Sequence, residues 1–119
     1  MLGVSKNKLS ATEETIVQQA LQKAHARETS ALITHVRDRA SSLTELEDLW
    51  NLHDLLSTKR YEIDGKYVYN ASTMVFDLAR LVKEGWLEIS DLQGLKPSML
   101  SKISALTTYV KVIESGFKI

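Results

Sequence analysis

Residues 48–67 read Asp-Leu-Trp-Asn-Leu-His-Asp-Leu-Leu-Ser-Thr-Lys-Arg-Tyr-Glu-Ile-Asp-Gly-Lys-Tyr, and their spacing decides the fold. On a helix that turns about 100° per residue, Leu49, Leu52, Leu56 and Ile63 share one arc. Their spacings of 3, 4 and 7 make a coiled-coil-like seam, expected to be core or dimer interface. Leu55 and Lys59 lie off that seam. His53, Asp54, Ser57, Arg60, Tyr61 and Asp64 fall with Trp50 within about 120° of a second arc. One helix therefore carries two faces of different chemistry.

The second face is suited to protein binding. Tryptophan, tyrosine and arginine are the residues enriched at binding hot spots. Arg60 offers a planar fork to a carboxylate, and His53 can hydrogen-bond one. A competing reading keeps Trp50 as buried core and the charges as a solvated surface. A tryptophan on the polar side of a leucine-filled helix favours the binding face.

Outward from this segment the chain reads as helix throughout. It has one proline and five glycines, few breakers for its length. Residues 1–9 are expected to form a loose tail. Ser10 and Glu13 fit a capping box that opens a first helix from about Ala11 to Ala40. Its apolar stripe is Val17, Leu21, Ala24, Ala31 or Leu32, and Val36, interrupted by Glu28 and His35. Thr44 and Glu47 form a second capping box, and the second helix is expected from about Glu45 to Asp64, with Gly65 as its left-handed stop. Asn70 can cap a third helix through Met74, Val75, Leu78, Ala79, Leu81 and Val82, ending at Gly85. Ser90 with Gln93 can cap a short turn. Pro97 suits the first turn of a last helix through Leu100, Ile103, Leu106, Val110 and Ile113, ending near Gly116.

A helix of about 30 residues is roughly 45 Å long, too long for a compact domain whose radius of gyration is roughly 13–14 Å. A lone elongated hairpin lacks partner surface for its stripes, and pairing two chains supplies it. The expected fold is all-α: an elongated helical hairpin (10–65) plus a small helical head (70–116) in one domain, forming an antiparallel dimer.

Composition narrows the function. The 119 residues contain 15 Lys+Arg and 15 Asp+Glu, so no basic excess points to a phosphate backbone. There is no cysteine, hence no disulfide, thiolate nucleophile or cysteine zinc site. His25, His35 and His53 stand in no metal motif, and the adjacent His53 and Asp54 point about 100° apart, a poor catalytic dyad. No serine-nucleophile motif or glycine-rich phosphate loop is present. No apolar run approaches a membrane span, and residues 1–10 lack a signal core. The expectation is a cytoplasmic, non-enzymatic protein with no cofactor, no metal and no nucleic-acid partner. Arg80, Lys83, Lys96 and Lys102 could imitate the phosphate contacts of a helix-turn-helix, but fit better as solvated charges. A scaffold or chaperone with another partner stays open on this evidence.

The signature Trp-x-x-His-Asp…Lys-Arg-x-Glu-Ile-Asp-Gly-Lys-Tyr resembles the cyanobacterial fluorescence recovery protein family. The resemblance continues through Phe76, Leu81, Lys83-Glu84-Gly85 and Ser101-Lys102-Ile103, and covers roughly 14–108. It implies helical dimers that bind photoactivated orange carotenoid protein, chiefly through its C-terminal domain. They speed its return from the red to the orange form and its detachment from the phycobilisome, which restores antenna fluorescence. The implied location is the cytoplasm near the phycobilisome and thylakoid surface. The residues it points to are Trp50, His53, Asp54 and Arg60, with Phe76 and Lys102 in the head. It weakens at Val68, Tyr69 and Asn70, where charged residues are expected, and at 110–119.

Overall fold

Two of the helices in this chain and its 3-10 turn start under carboxylates that reach back over the first turn. In the computed structural model, which describes residues 9–116 and side chains through Lys111, four α-helices form among the described residues. They are α1 (Ala11–Ser41), α2 (Leu46–Lys66), α3 (Met74–Glu84) and α4 (Pro97–Gly116), with a 3-10 turn at Ile89–Leu92. No strand occurs among the described residues; a single bridge joins Gln93 and Leu95. The expected tail at 1–8 lies outside them, as does the side chain of Ile113.

At α1 the expected box forms in full. The Ser10 amide donates to Glu13 Oε1 at 3.0 Å, and the Glu13 amide donates to Ser10 Oγ at 3.1 Å. At α2 the box sits one residue later than Thr44 and Glu47. Asp48 takes the Glu45 amide at 3.1 Å and the Thr44 amide and hydroxyl at 3.2 Å each. Asp48 gathers all three donors on one carboxylate oxygen. Asn70 does not cap α3, which starts from Thr73; its Oδ1 accepts from the Ser72 amide at 3.0 Å and makes a turn instead. The 3-10 turn is opened by Glu88 and Asp91 rather than Ser90 and Gln93.

The chain divides into two compact units. The first joins the described residues up to Ala24 with those from Tyr69 onward. Val17, Leu78, Leu87, Leu92 and Ile103 are its largest fully buried side chains. Burial of such a side chain contributes roughly 1.5–3 kcal/mol. The head expected at 70–116 thus recruits Leu9, Val17, Ala20, Leu21 and Ala24, and Leu9 is buried rather than part of a tail. Two short packed helices leave an apolar side open, and the start of α1 closes it. Glu13 Oε2 also accepts the Lys96 amide at 3.2 Å, and Lys23 pairs with Asp91 at 3.6 Å. Gly85 ends α3 in the left-handed region (φ 90°), as expected, so the Trp86 and Leu87 amides reach the Leu81 carbonyl at 3.0 and 3.3 Å.

The second unit, His25–Val68, is a helical hairpin made of the rest of α1, a turn at 42–45, and α2. Leu52 is buried and Leu55, Lys59 and Ile63 are half-buried; on α1, Glu28 is buried and Leu32 and Val36 half-buried. Glu28, read in the sequence as interrupting the stripe, is part of it. Lys66 Nζ donates to Glu28 Oε1 at 2.9 Å, and the Tyr67 hydroxyl donates to the same oxygen. The His25 ring meets the Tyr67 ring edge-on, centroids 5.1 Å apart. This clasp carries α2 through Gly65, which lacks a positive φ and is not the stop.

Two outcomes follow. Gly94 has φ 107°, and a Cβ there would lie 2.5 Å from Ile16 Cδ1. Gly94→Ala should cost about 1–3 kcal/mol of stability, read by thermal melting, mostly from the backbone because the Ile16 tip can move. Three carboxyls are held below their ordinary range. The Ser10 amide leads at Glu13 and the Glu45 amide at Asp48. At Glu28, burial pushes upward but is outweighed by the Tyr67 and Lys66 hydrogen bonds. A group with a lowered folded pKa stabilises the fold above its unfolded value and loses that contribution as pH falls through the folded one. Acid melts should therefore show stability falling below about pH 4.5, and Glu13→Gln should flatten that fall.

Candidate functional site

The hairpin covers only one side of α2, and every binding residue expected on that helix lies elsewhere. Trp50 is 55% exposed, which removes the reading of it as core. The side chains of His53, Asp54 and Arg60 are 70%, 77% and 85% exposed. His53 Nδ1 and Asp54 Oδ1 approach to 3.3 Å, so the neighbours do meet despite their angular separation. The contact is long and solvated. The Trp50 and His53 rings lie edge to face at 6.4 Å. Arg60 Nε lies 3.8 Å from Asp64 Oδ2 on the next turn. Such an exposed pair holds little energy, so the guanidinium is available to a better-placed carboxylate.

The aliphatic seam divides into two. Leu52 is buried in the chain's own hairpin and Ile63 is half-buried there. Leu49 and Leu56 are 44% and 40% exposed. The stripe the hairpin covers runs through Leu52, Leu55, Lys59 and Ile63 instead, so Leu55 and Lys59 are within it. Sequence reasoning missed Leu46, which is exposed and starts a line of 3- and 4-residue steps through Leu49, His53, Leu56 and Arg60. Position 46 was legible in that spacing, since the expected helix already included it.

In the other unit, Phe76 projects from α3 at 46% exposure and Lys102 is exposed on α4. Phe76 shares its side of α3 with Arg80, whose Nε lies 3.5 Å from Glu84 Oε2. Among the described residues no group of three His, Asp or Glu could hold a metal ion. No described helix is long and apolar enough to cross a membrane. What the geometry offers is surface: a rigid helix presenting an aromatic, a carboxylate, an imidazole and a guanidinium to solvent.

The Fluorescence recovery protein of Synechocystis sp. (strain ATCC 27184 / PCC 6803 / Kazusa) is 41% identical over 106 residues, covering 89% of this chain and 97% of the relative. The solved structure of the Fremyella diplosiphon Fluorescence Recovery Protein superposes with a TM-score of 0.80 at 50% identity, covering 85% of this chain and 99% of that one. The Synechocystis structure gives the same TM-score and coverage at 40% identity. The family model for the photoprotection regulator fluorescence recovery protein matches residues 9–107, and it takes in α1, α2, α3 and the first half of α4. This chain therefore belongs to the photoprotection regulator fluorescence recovery protein family.

Proposed function

We propose that this chain binds the photoactivated orange carotenoid protein, chiefly on its C-terminal domain, and accelerates the return of the red form to the orange form. By releasing that protein from the phycobilisome it restores antenna fluorescence, in the cytoplasm at the phycobilisome and thylakoid surface. Family membership supports the photoprotective role. The observation that carries the binding reading is the solvent-facing group of Trp50, His53, Asp54 and Arg60 on one rigid helix.

The mechanism is differential binding without covalent chemistry. A ligand shifts a two-state partner only by binding one state better than the other. To accelerate the return, it must also bind the transition region better than the starting state. The α2 face docks on carotenoid-protein surface that is exposed only when its two domains separate, and the complex favours their re-docking. Trp50 supplies apolar contact, Arg60 pairs with a carboxylate, and His53 and Asp54 form hydrogen bonds. Phe76 and Lys102 make further contacts from the head. The exposed leucines at 46, 49 and 56 support an antiparallel homodimer through that flank of α2.

The dark decay of the red form, followed by visible absorbance, tests this directly. Substoichiometric addition of the protein should accelerate it clearly, and no effect would defeat the reading. Arg60→Leu should lower binding roughly tenfold or more, as expected for a lost charge-assisted hydrogen bond. It should stay dimeric in light scattering; a monomer would assign Arg60 to the dimer instead. Leu49→Asp should yield a monomer in the same measurement, because a charge at an apolar seam has no partner.

A further inference from the structure

On α2 the residues Trp50, Asp54, Ser57 and Tyr61 are spaced 4, 3 and 4 apart. All four are exposed, and they form a straight strip on the side of the helix opposite the stripe of Leu52, Leu55, Lys59 and Ile63. Tyr61 ends this strip at 86% exposure, the highest of the exposed large hydrophobic side chains among the described residues. It has no hydrogen bond or ring contact among them. A phenol so placed does nothing for the hairpin that carries it. Trp50 and Tyr61 stand three helical turns apart, about 16 Å along the axis.

We infer that Tyr61 is a second aromatic anchor of the docking strip on α2, and that the strip takes a protein surface with an apolar ridge and a cationic group opposite Asp54. The inference rests on the functional reading above and adds a residue and a partner chemistry to it. Tyrosine supplies large contact area at low conformational cost, and a helix fixes where that area is presented. The strip also differs in kind from the flank beside it. That flank mixes the aliphatic Leu46, Leu49 and Leu56 with His53 and Arg60, whereas the strip carries Trp50 and Tyr61, and aromatic residues are enriched at interface cores. Asp54 is the only charged residue on the strip, and its neighbour within ion-pair distance is the exposed His53. A cation on the partner therefore complements it.

The test compares the intact chain, Tyr61→Ala and Tyr61→Phe for equilibrium binding to purified orange carotenoid protein in its red form, with oligomeric state measured by light scattering. Tyr61→Ala should keep the dimer and the melting temperature and bind roughly thirtyfold more weakly, as for loss of a hot-spot residue. Tyr61→Phe should stay within about threefold of the unaltered chain, since the ring remains. If Tyr61→Ala binds within about threefold, the inference is overturned while the functional reading stands. If Tyr61→Ala becomes monomeric, Tyr61 belongs to the seam between copies and the inference is overturned as well. If the unaltered chain fails to bind, the functional reading falls and this inference falls with it.

Discussion

Two helices packed side by side can cover only one stripe of each, and the His25–Val68 unit is built on that limit. Leu52, Leu55, Lys59 and Ile63 use up the covered stripe of α2. The leucines at 46, 49 and 56 and the aromatics at 50 and 61 are surface because nothing in the hairpin can reach them. An ordinary protein keeps such apolar positions polar, since exposed patches invite association. Here association is the proposed activity. The helix then matters as much as its chemistry, because it presents several contact groups at fixed backbone spacing and so lowers the ordering cost on binding.

One buried carboxylate aligns the polypeptide inside each unit. Glu13 caps its own helix through Ser10 and also accepts the amide of Lys96, 83 residues away. Glu28 takes Lys66 and Tyr67, 38 and 39 residues away, at the end of the hairpin opposite its turn. A buried carboxylate left without donors is costly. Each therefore disfavours any alignment that would slide its donors out of reach. Hydrophobic stripes alone tolerate such sliding by a helical turn, so these contacts specify register where leucines specify only contact. The Gly65-Lys66-Tyr67 end of the signature gains a physical role by this route: it holds α2 against α1.

The arrangement separates the packed stripe from the proposed docking face along a single helix. Residues at the covered stripe of α2 maintain the hairpin, and those on the far side face solvent. The head follows a different logic, with a core drawn from α1, α3, α4 and the turns between them, and its exposed Phe76 and Lys102 stand on separate helices. The glycines that matter there are Gly85 and Gly94, both in backbone regions that other residues avoid.

Helical character, the starts of α1 and α4, the stop at Gly85 and the solvent-facing quartet on α2 were all legible from local chemistry. Caps, proline, glycine and 3.6-residue periodicity act within a turn or two and need no fold to operate. The family, too, was written in the signature around Trp50. What the sequence left undecided were choices between equivalent local options. Thr44 with Glu47 and Glu45 with Asp48 are both plausible boxes, and Gly65 can stop a helix or continue one. Leu49–Leu56 and Leu52–Lys59 are both acceptable seams. The cap was settled by the donors of Thr44 and Glu45 themselves, but the seam and the fate of Gly65 were decided by tertiary structure, because only a packed neighbour reveals which stripe is covered and where a carboxylate's distant donors lie. Glu28 shows the reason most clearly: it breaks an apolar pattern in sequence, and it completes the packing once Lys66 and Tyr67 arrive from the other end of the hairpin.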